Sequence, residues 1–389
     1  MEKSFWQNNT ARRVVSTARD KAKPRPRVEP VIISSVKSPL PRNVLLLSTA
    51  IITILLCQSA PASWNAGLPG AIFRMPAGAW ASGMGGAVSA DPGYMLSWYN
   101  PAQLPFLRER RASFGGGYRT LGRAEAWASC DFRVPPRVGM GASFVYRGDP
   151  SISGLYDGYY NNGEVVEERA LTPAAWTAFS AKIGVGYLAA RRLSFGGSVS
   201  INYQSLPTTP TPEGTIENAS ATSIGAVDVA AVYKAAPNLT LSASIKNLMS
   251  HNAWQYAIYD EYSQAIDEII PPVFVLSSSH KTTLSERELI WGADAALFLI
   301  DGEGNYLGGP EAVVAAGAAW KFSEAITLRA GIADIELSSE TAESFSPRIT
   351  FGFSYNLPKM CKGAVFNYAI MTDRIWAGVD QQADITVSF

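Results

Sequence analysis

From about residue 111 onward, apolar and small polar residues alternate with a period of two in one short segment after another. Leu193, Phe195, Gly197, Val199, Ile201 and Tyr203 fall on one face, and Ser194, Gly196, Ser198, Ser200 and Asn202 on the other. The pattern recurs at Leu239/Leu241/Ala243/Ile245 against Thr240/Ser242/Ser244/Lys246, at Ile326/Leu328/Ala330/Ile332 against Thr327/Arg329/Gly331, and at Ile349/Phe351/Phe353/Tyr355 against Thr350/Gly352/Ser354. A helix would scatter these side chains around its axis, so the period predicts strands. They are predicted to begin near Arg111, Ala124, Val138, Ala175, Leu193, Ala221, Leu239, Val273, Glu288, Ala312, Ile326, Ser346, Lys362 and Gln382, fourteen in all.

One greasy face and one small polar face suit an all-β transmembrane antiparallel barrel. Lipid demands apolar side chains outside and a sheet without an unpaired edge, while the lumen accepts polar ones. A soluble β-sandwich alternates in the same way. The even strand number favours the barrel, and so do Trp127, Tyr146, Tyr187, Tyr203, Tyr233, Trp320 and Tyr355 near strand ends, where a barrel places its interfacial girdles. Short connections at 119–123, 189–192, 235–238 and 323–325 contrast with long ones at 147–173, 205–220, 248–272 and 301–310, and the long ones are expected outside the cell. Tyr, Trp and acidic residues crowd two of the long loops, either as binding anchors or as packing over the barrel mouth.

Upstream, residues 44–56 (VLLLSTAIITILL) form a short apolar run preceded by Arg42 and followed by Ala60-Pro61-Ala62, the layout of a secretory signal cleaved before Ser63. A spanning helix would need roughly 20 apolar residues. Leu56 before Cys57 disfavours a lipoprotein site, which needs a small residue there. The chain therefore divides into a basic extension (1–43), an apolar core and cleavage region (44–62), a plug segment (63–108) and the barrel (109–389). Translation from Val36 would give a compact charged region, so the extension reads as a mis-assigned start. Cys130 and Cys361 remain after cleavage, free to pair or to stay reduced.

The charges balance at 33 Lys+Arg and 33 Asp+Glu, but the first 42 residues hold ten basic and three acidic side chains, leaving an acidic body. That argues against a nucleic-acid partner. Chemistry is sparse. The two histidines, His251 and His280, have no evident nucleophile and orienting group, so no enzyme is expected. Asp301-Gly302-Glu303-Gly304-Asn305 lacks the spacing of a Ca²⁺ loop, and no metal or cofactor is expected. Gly83-Met84-Gly85-Gly86 lacks the Gly-Lys-Ser/Thr ending of a phosphate loop.

The stretch 71–104 (AIFRMPAGAWASGMGGAVSADPGYMLSWYNPAQL) resembles neither strand nor signal. Gly83, Gly85 and Gly86 permit close backbone approach to a wall, and Asn100-Pro101-Ala102-Gln103 reads as an N-cap, a first-turn proline and a glutamine three residues after the cap. A short helix is expected from Pro101, within a segment packed inside the lumen.

The run Ala81-Ser82-Gly83-Met84-Gly85-Gly86-Ala87, then Asp91 and Tyr99-Asn100-Pro101-Ala102-Gln103-Leu104, resembles the N-terminal signature of the PorV/PorQ-like outer-membrane proteins, which belong with the FadL-type fatty-acid transporters. Ile245-Lys246-Asn247-Leu248, Leu328-Arg329-Ala330-Gly331, Phe366-Asn367-Tyr368-Ala369 and the ending Asp384-Ile385-Thr386-Val387-Ser388-Phe389 are similar to further family segments. Gln103 stands where the family has glycine, and Asn367 where it has aspartate. The resemblance implies a fourteen-stranded barrel with an N-terminal plug in the outer membrane of a diderm bacterium, and Phe389 as the signal for the barrel insertion machinery. It implies protein secretion and surface delivery, with secretion-apparatus components or cargo proteins as partners, or passage of hydrophobic small molecules through a lateral opening. A purely structural or adhesive barrel is the third option.

Overall fold

Each alternating segment forms a strand, and the computed structural model pairs these strands antiparallel into one closed sheet. The structure describes residues 70–152, 156–161, 164–170, 174–206, 209–211, 214–258, 262–298, 311–337, 347–357, 363–373 and 378–389. The basic extension, the signal segment, Ser63, Cys361 and the Asp301–Asn305 run lie outside the described residues. The strands are β1 (Arg111–Tyr118), β2 (Ala124–Val134), β3 (Val138–Ile152), β4 (Tyr156–Asn161), β5 (Glu164–Ala170), β6 (Ala174–Ala190), β7 (Leu193–Ser205), β8 (Thr209–Thr211), β9 (Gly214–Ala236) and β10 (Leu239–Leu248). They continue with β11 (His251–Ile258), β12 (Tyr262–Ile269), β13 (Val273–Leu284), β14 (Arg287–Phe298), β15 (Glu311–Lys321), β16 (Ile326–Leu337), β17 (Arg348–Asn356), β18 (Ala364–Thr372) and β19 (Val379–Ser388).

Fourteen of these make the wall: β1–β3, β6, β7, β9, β10 and β13–β19. β1 pairs with β19, Arg111 opposite Ser388 and Tyr118 opposite Gln381, which closes the sheet and leaves no edge. Phe114, Phe144, Ile183, Val199, Leu276 and Phe351 project outward, whereas Ser113, Ser129, Ser198, Ser200 and Thr350 are buried inside. An apolar exterior around a polar interior makes the chain an outer-membrane β-barrel. No helix among the described residues is long and apolar enough to cross a membrane; the strands do so.

Three readings need correction. The sixth wall strand, β9, begins at Gly214 rather than near Ala221, and the loops expected at 205–220 and 248–272 contain β8, β11 and β12. Outside the bilayer the backbone still needs hydrogen-bond partners, so pairing continues where lipid no longer enforces alternation. The 119–123 connection is short yet joins β1 to β2 at the same barrel end as the long ones, because antiparallel order fixes its side. Trp127 is only 2% exposed and packs with Tyr99 and Val145 inside the lumen, so it is no girdle residue. The short helix expected from Pro101 is present, as a 3₁₀ helix, Pro101–Phe106, with Pro105 in its interior. Cys130 is free and exposed on the outward face of β2.

Candidate functional site: a plugged lumen with an asymmetric cavity

Helical turns at Ala71–Arg74, Ala79–Gly83 and Leu96–Tyr99 precede the 3₁₀ helix and fill the lumen. The core is mostly this segment's own side chains, Ala77, Ala81, Met84, Val88, Tyr94, Met95, Trp98 and Tyr99, joined by Trp127, Val145 and Ala319 from the wall. Because each element is too short to satisfy its own backbone, wall side chains do so. Asp384 accepts from Ala79 N (2.8 Å) and from the Tyr94 hydroxyl; Asp131 accepts from Leu96 N (2.9 Å); Asp294 accepts from Ser89 N (3.0 Å). Burial pushes the Tyr94 and Tyr99 phenols above their ordinary pKa, so both remain protonated donors.

The expected motif residues are distributed as follows. A Cβ on Gly83 would sit 2.9 Å from Arg329 Nε and one on Gly85 2.7 Å from Ile332 O, both on the wall, whereas Gly86 faces Pro76 of the plug itself. Gly85 and Gly86 have φ of +67° and +83°. Asn100 is fully buried; its Oδ1 accepts from Ala102 N (3.1 Å) and its Nδ2 donates to Ser89 O (2.7 Å), with Pro101 opening the 3₁₀ helix. The Gln103 amide donates to Ala90 O instead of returning to Asn100, so the capping box does not form. Asp91 pairs with Lys281 (3.1 Å), partly exposed. Phe389 is exposed, and its backbone exchanges hydrogen bonds with Arg110 (3.0 and 3.1 Å).

The wall makes room for the plug with glycines, of which the sequence pattern had placed Gly196 and Gly331 on the lumen face without assigning them this role. A Cβ at Gly139, Gly186 or Gly196 would lie under 3 Å from the Pro101–Pro105 backbone or ring atoms, and at Gly292, Gly317 or Gly331 under 3 Å from the Met84–Ala87 backbone. Asn367 also finds its reason here. Its Nδ2 donates to Asp384 Oδ1 (2.7 Å), whereas an aspartate would set a second carboxylate against the first.

Beside the plug lies a cavity of about 500 Å³. One side is apolar: Val273, Val275, Phe298, Ala296 and Val313 pack together from β13, β14 and β15, facing Ile72, Phe73 and Met75 of the plug. The other side is polar, with Ser180, Ser200, Asn202, Lys182 and Lys246. Lys182 is neutralised by Asp228 (2.6 Å) and lies 5.0 Å above the Trp98 ring. Lys246 lines the same side, with the carboxylates of Asp228 and Asp294 near enough to act on its charge.

A buried network holds the apolar side in place. Glu125 takes Arg119 (2.8 Å) and Arg147 (3.3 Å), and Arg119 also pairs with Asp380 (2.9 Å). These guanidiniums then donate to plug carbonyls: Arg147 to Ile72 O (2.6 Å) and Met75 O (2.8 Å), Arg119 to Pro76 O (3.0 Å). Burial alone would weaken the charge of Arg119, but Glu125 and Asp380 hold its pKa above the ordinary value.

Next to the cavity the wall is irregular. β9 bulges at Gly225 (φ +82°), and Asn247 near the end of β10 and Met249 just after it adopt positive φ. Opposite them stand Pro271 and Pro272, which have no N–H to donate, so the ladder lapses between the Lys246/Val273 pair and the Ser250/Ile270 bond. Asn247 and Ile270, at this seam, line the cavity, and Met249 is 89% exposed. A run of both-face apolar residues, Val273-Phe274-Val275-Leu276, is the sequence signal that would have found the apolar wall.

No protein-family model matches the chain, and comparison with curated protein sequences gives no match. Solved structures do match. The toluene transporter TbuX of Ralstonia pickettii is similar with a TM-score of 0.55 and 15% identity, over 80% of this chain and 98% of that one. A ΔS2S3 mutant of the TodX monoaromatic hydrocarbon channel is similar with a TM-score of 0.50 and 17% identity, over 80% and 97%. A Pseudomonas aeruginosa FadL homologue has a TM-score of 0.49 and 14% identity, over 80% and 97%. The fold is thus shared with outer-membrane transporter and channel barrels.

Proposed function

We propose that the protein passes hydrophobic small molecules across the outer membrane through the cavity beside its plug. The observation that carries this reading is the apolar sector of Val273, Val275, Ala296, Phe298 and Val313 on a lumen face that is elsewhere Ser, Asn, Asp and Arg. Water gains nothing from such a surface, whereas an apolar ligand gains about 0.8 kcal/mol for each CH₂ it buries. The seam at Asn247 and Ile270 supplies a place where such a ligand could leave the cavity toward the lipid without crossing an intact ladder. The similarity to TbuX and TodX supports the same reading, as does the plug-and-barrel arrangement. Nothing among the described residues favours delivery of secreted proteins over this.

The test is uptake of radiolabelled apolar solutes, toluene and a long-chain carboxylate, by cells expressing the protein or Val275→Asp, with folding verified by heat-modifiable gel mobility. Uptake should depend on the protein and fall in the variant. Unchanged uptake with and without the protein, alongside a changed surface proteome on deletion, would replace transport with secretion.

A further inference from the structure

The end of the barrel bearing the short turns faces the periplasm, and its charges are unevenly placed. Antiparallel register strings the start of β1 and the β2–β3, β6–β7 and β9–β10 turns along one arc: Arg111 stands opposite Asp131, Leu188 N donates to Arg137 O (2.8 Å), and Lys234 N donates to Arg192 O (2.8 Å). This arc presents Arg108, Arg110, Arg133, Arg137, Arg191 and Arg192, all exposed. None forms an ion pair among the described residues, and Glu109 is the exposed acid among them. Farther round, the described β13–β14 and β15–β16 turns are self-neutralised: Arg287 and Lys321 share Glu324 (3.6 and 2.7 Å), with Glu286 and Glu288 beside them.

A second observation sets the depth of the basic arc. Tyr187, Phe195 and Tyr233 project outward, each about half exposed, with Tyr187 paired to Phe195 and Val138, and Tyr233 to Leu193. Such aromatics sit at the headgroup level of a bilayer. The arginines follow within a few residues on the periplasmic side, where phosphate groups of the inner leaflet lie. Guanidinium forks match phosphate oxygens in pairs, and unpaired cations avoid the loss of breaking an existing ion pair.

We propose that the periplasmic arc from β1 to β9 binds the anionic headgroups of inner-leaflet phospholipids and fixes the tilt and depth of that side of the barrel. An acidic soluble protein is the competing occupant, but it would not require the arginines to follow the aromatic belt. The proposal does not rest on the transport reading.

The test uses the full chain, folded and purified in detergent, incubated with mixed micelles of phosphatidylglycerol and phosphatidylethanolamine, with lipid retained per barrel counted by native mass spectrometry. Wild-type protein should retain phosphatidylglycerol several-fold over phosphatidylethanolamine, with the preference shrinking as salt is raised. R133Q/R137Q/R191Q/R192Q should bring the ratio toward one, and R287Q/K321Q in the self-neutralised turns should leave it unchanged. Should the fourfold variant fail the heat-modifiability check, the pairs R133Q/R137Q and R191Q/R192Q replace it, each expected to lower the ratio. No preference in the wild type, an unchanged ratio in the folded variants, or an equal drop in R287Q/K321Q overturns the proposal. So does an unchanged ratio combined with loss of photocrosslinks from position 191 to an acidic periplasmic protein.

Discussion

Alanine at Gly85 and alanine at Gly86 form a matched pair that measures how tightly the plug is seated. Both glycines have positive φ, +67° and +83°, so each substitution incurs a similar backbone penalty of roughly 1–2 kcal/mol. Their surroundings differ. The new Cβ at 85 would stand 2.7 Å from Ile332 O and 2.9 Å from Ile332 N, which are rigid atoms of β16, whereas at 86 it would meet Pro76 Cγ at 3.4 Å. Only Gly85→Ala therefore pushes the plug off the wall. Overpacking of this kind costs about 1–3 kcal/mol, and with the shared backbone term cancelled this difference equals a roughly 5- to 150-fold change in the ratio of seated to displaced plug. Single-channel recording in planar bilayers reads that ratio as the fraction of time the lumen conducts. Gly85→Ala should conduct far more often than Gly86→Ala, with both barrels equally heat-modifiable. Equal open fractions would refute the claim that contact with β16 holds the plug.

Three further outcomes are expected. Phe351→Arg, on an outward side chain 54% exposed, should lower folding yield into vesicles, by about 2–4 kcal/mol if near the midplane, whereas Asn202→Lys, facing the cavity, should be tolerated. Thr350 is unsuitable as the lumen control, since it is fully buried and its hydroxyl donates to Gly83 O (3.2 Å). Lys246→Met should weaken binding of long-chain carboxylates, measured by displacement of a fluorescent fatty acid, while leaving neutral hydrocarbon uptake intact, because Lys246 lines the polar side of the cavity and not its apolar sector. Cys130, outward on β2, should react in intact membranes with an apolar maleimide and not with a charged one.

The wall strands were legible because lipid on one side and polar lumen on the other impose period two on every residue, so starts at Arg111, Ala124, Val138, Leu193, Leu239, Val273 and Ile326 could be read to the residue. Where one of those solvents is missing, the reading fails. β11 and β12 continue β10 and β13 past the seam with no lipid-imposed alternation, and their pattern resembled a loop. Trp127 looked like a girdle residue because aromatic character is visible in the sequence and facing at a strand end is not; its parity with Glu125 and Asp131 was the overlooked clue. The glycines at 292, 317 and 331 were likewise readable only as small lumen residues, since their meaning lies in a partner some 200 residues away. Lys246 was visible on the polar face, but that Asp228 makes its close ion pair with Lys182 instead could be learned only from the fold.

The hold of Asp384 and Gln382 on the plug bears on the order of assembly. Ala79 N bonds Asp384 and the Ser82 hydroxyl donates to Gln382 (2.6 Å), across 305 and 300 residues, and the same strand, β19, pairs with β1 to complete the sheet. The plug and the last described strand thus meet in one place. Such long-range contacts form late in folding, after the cost of closing the intervening chain has been met. The plug backbone also occupies space that side chains on β6, β7 and β14–β16 would otherwise fill, so its seat exists only where these strands stand side by side. Closure and plugging thus draw on the same strand, and a barrel that lacks β19 leaves its β1 edge unpaired and its plug without these two anchors.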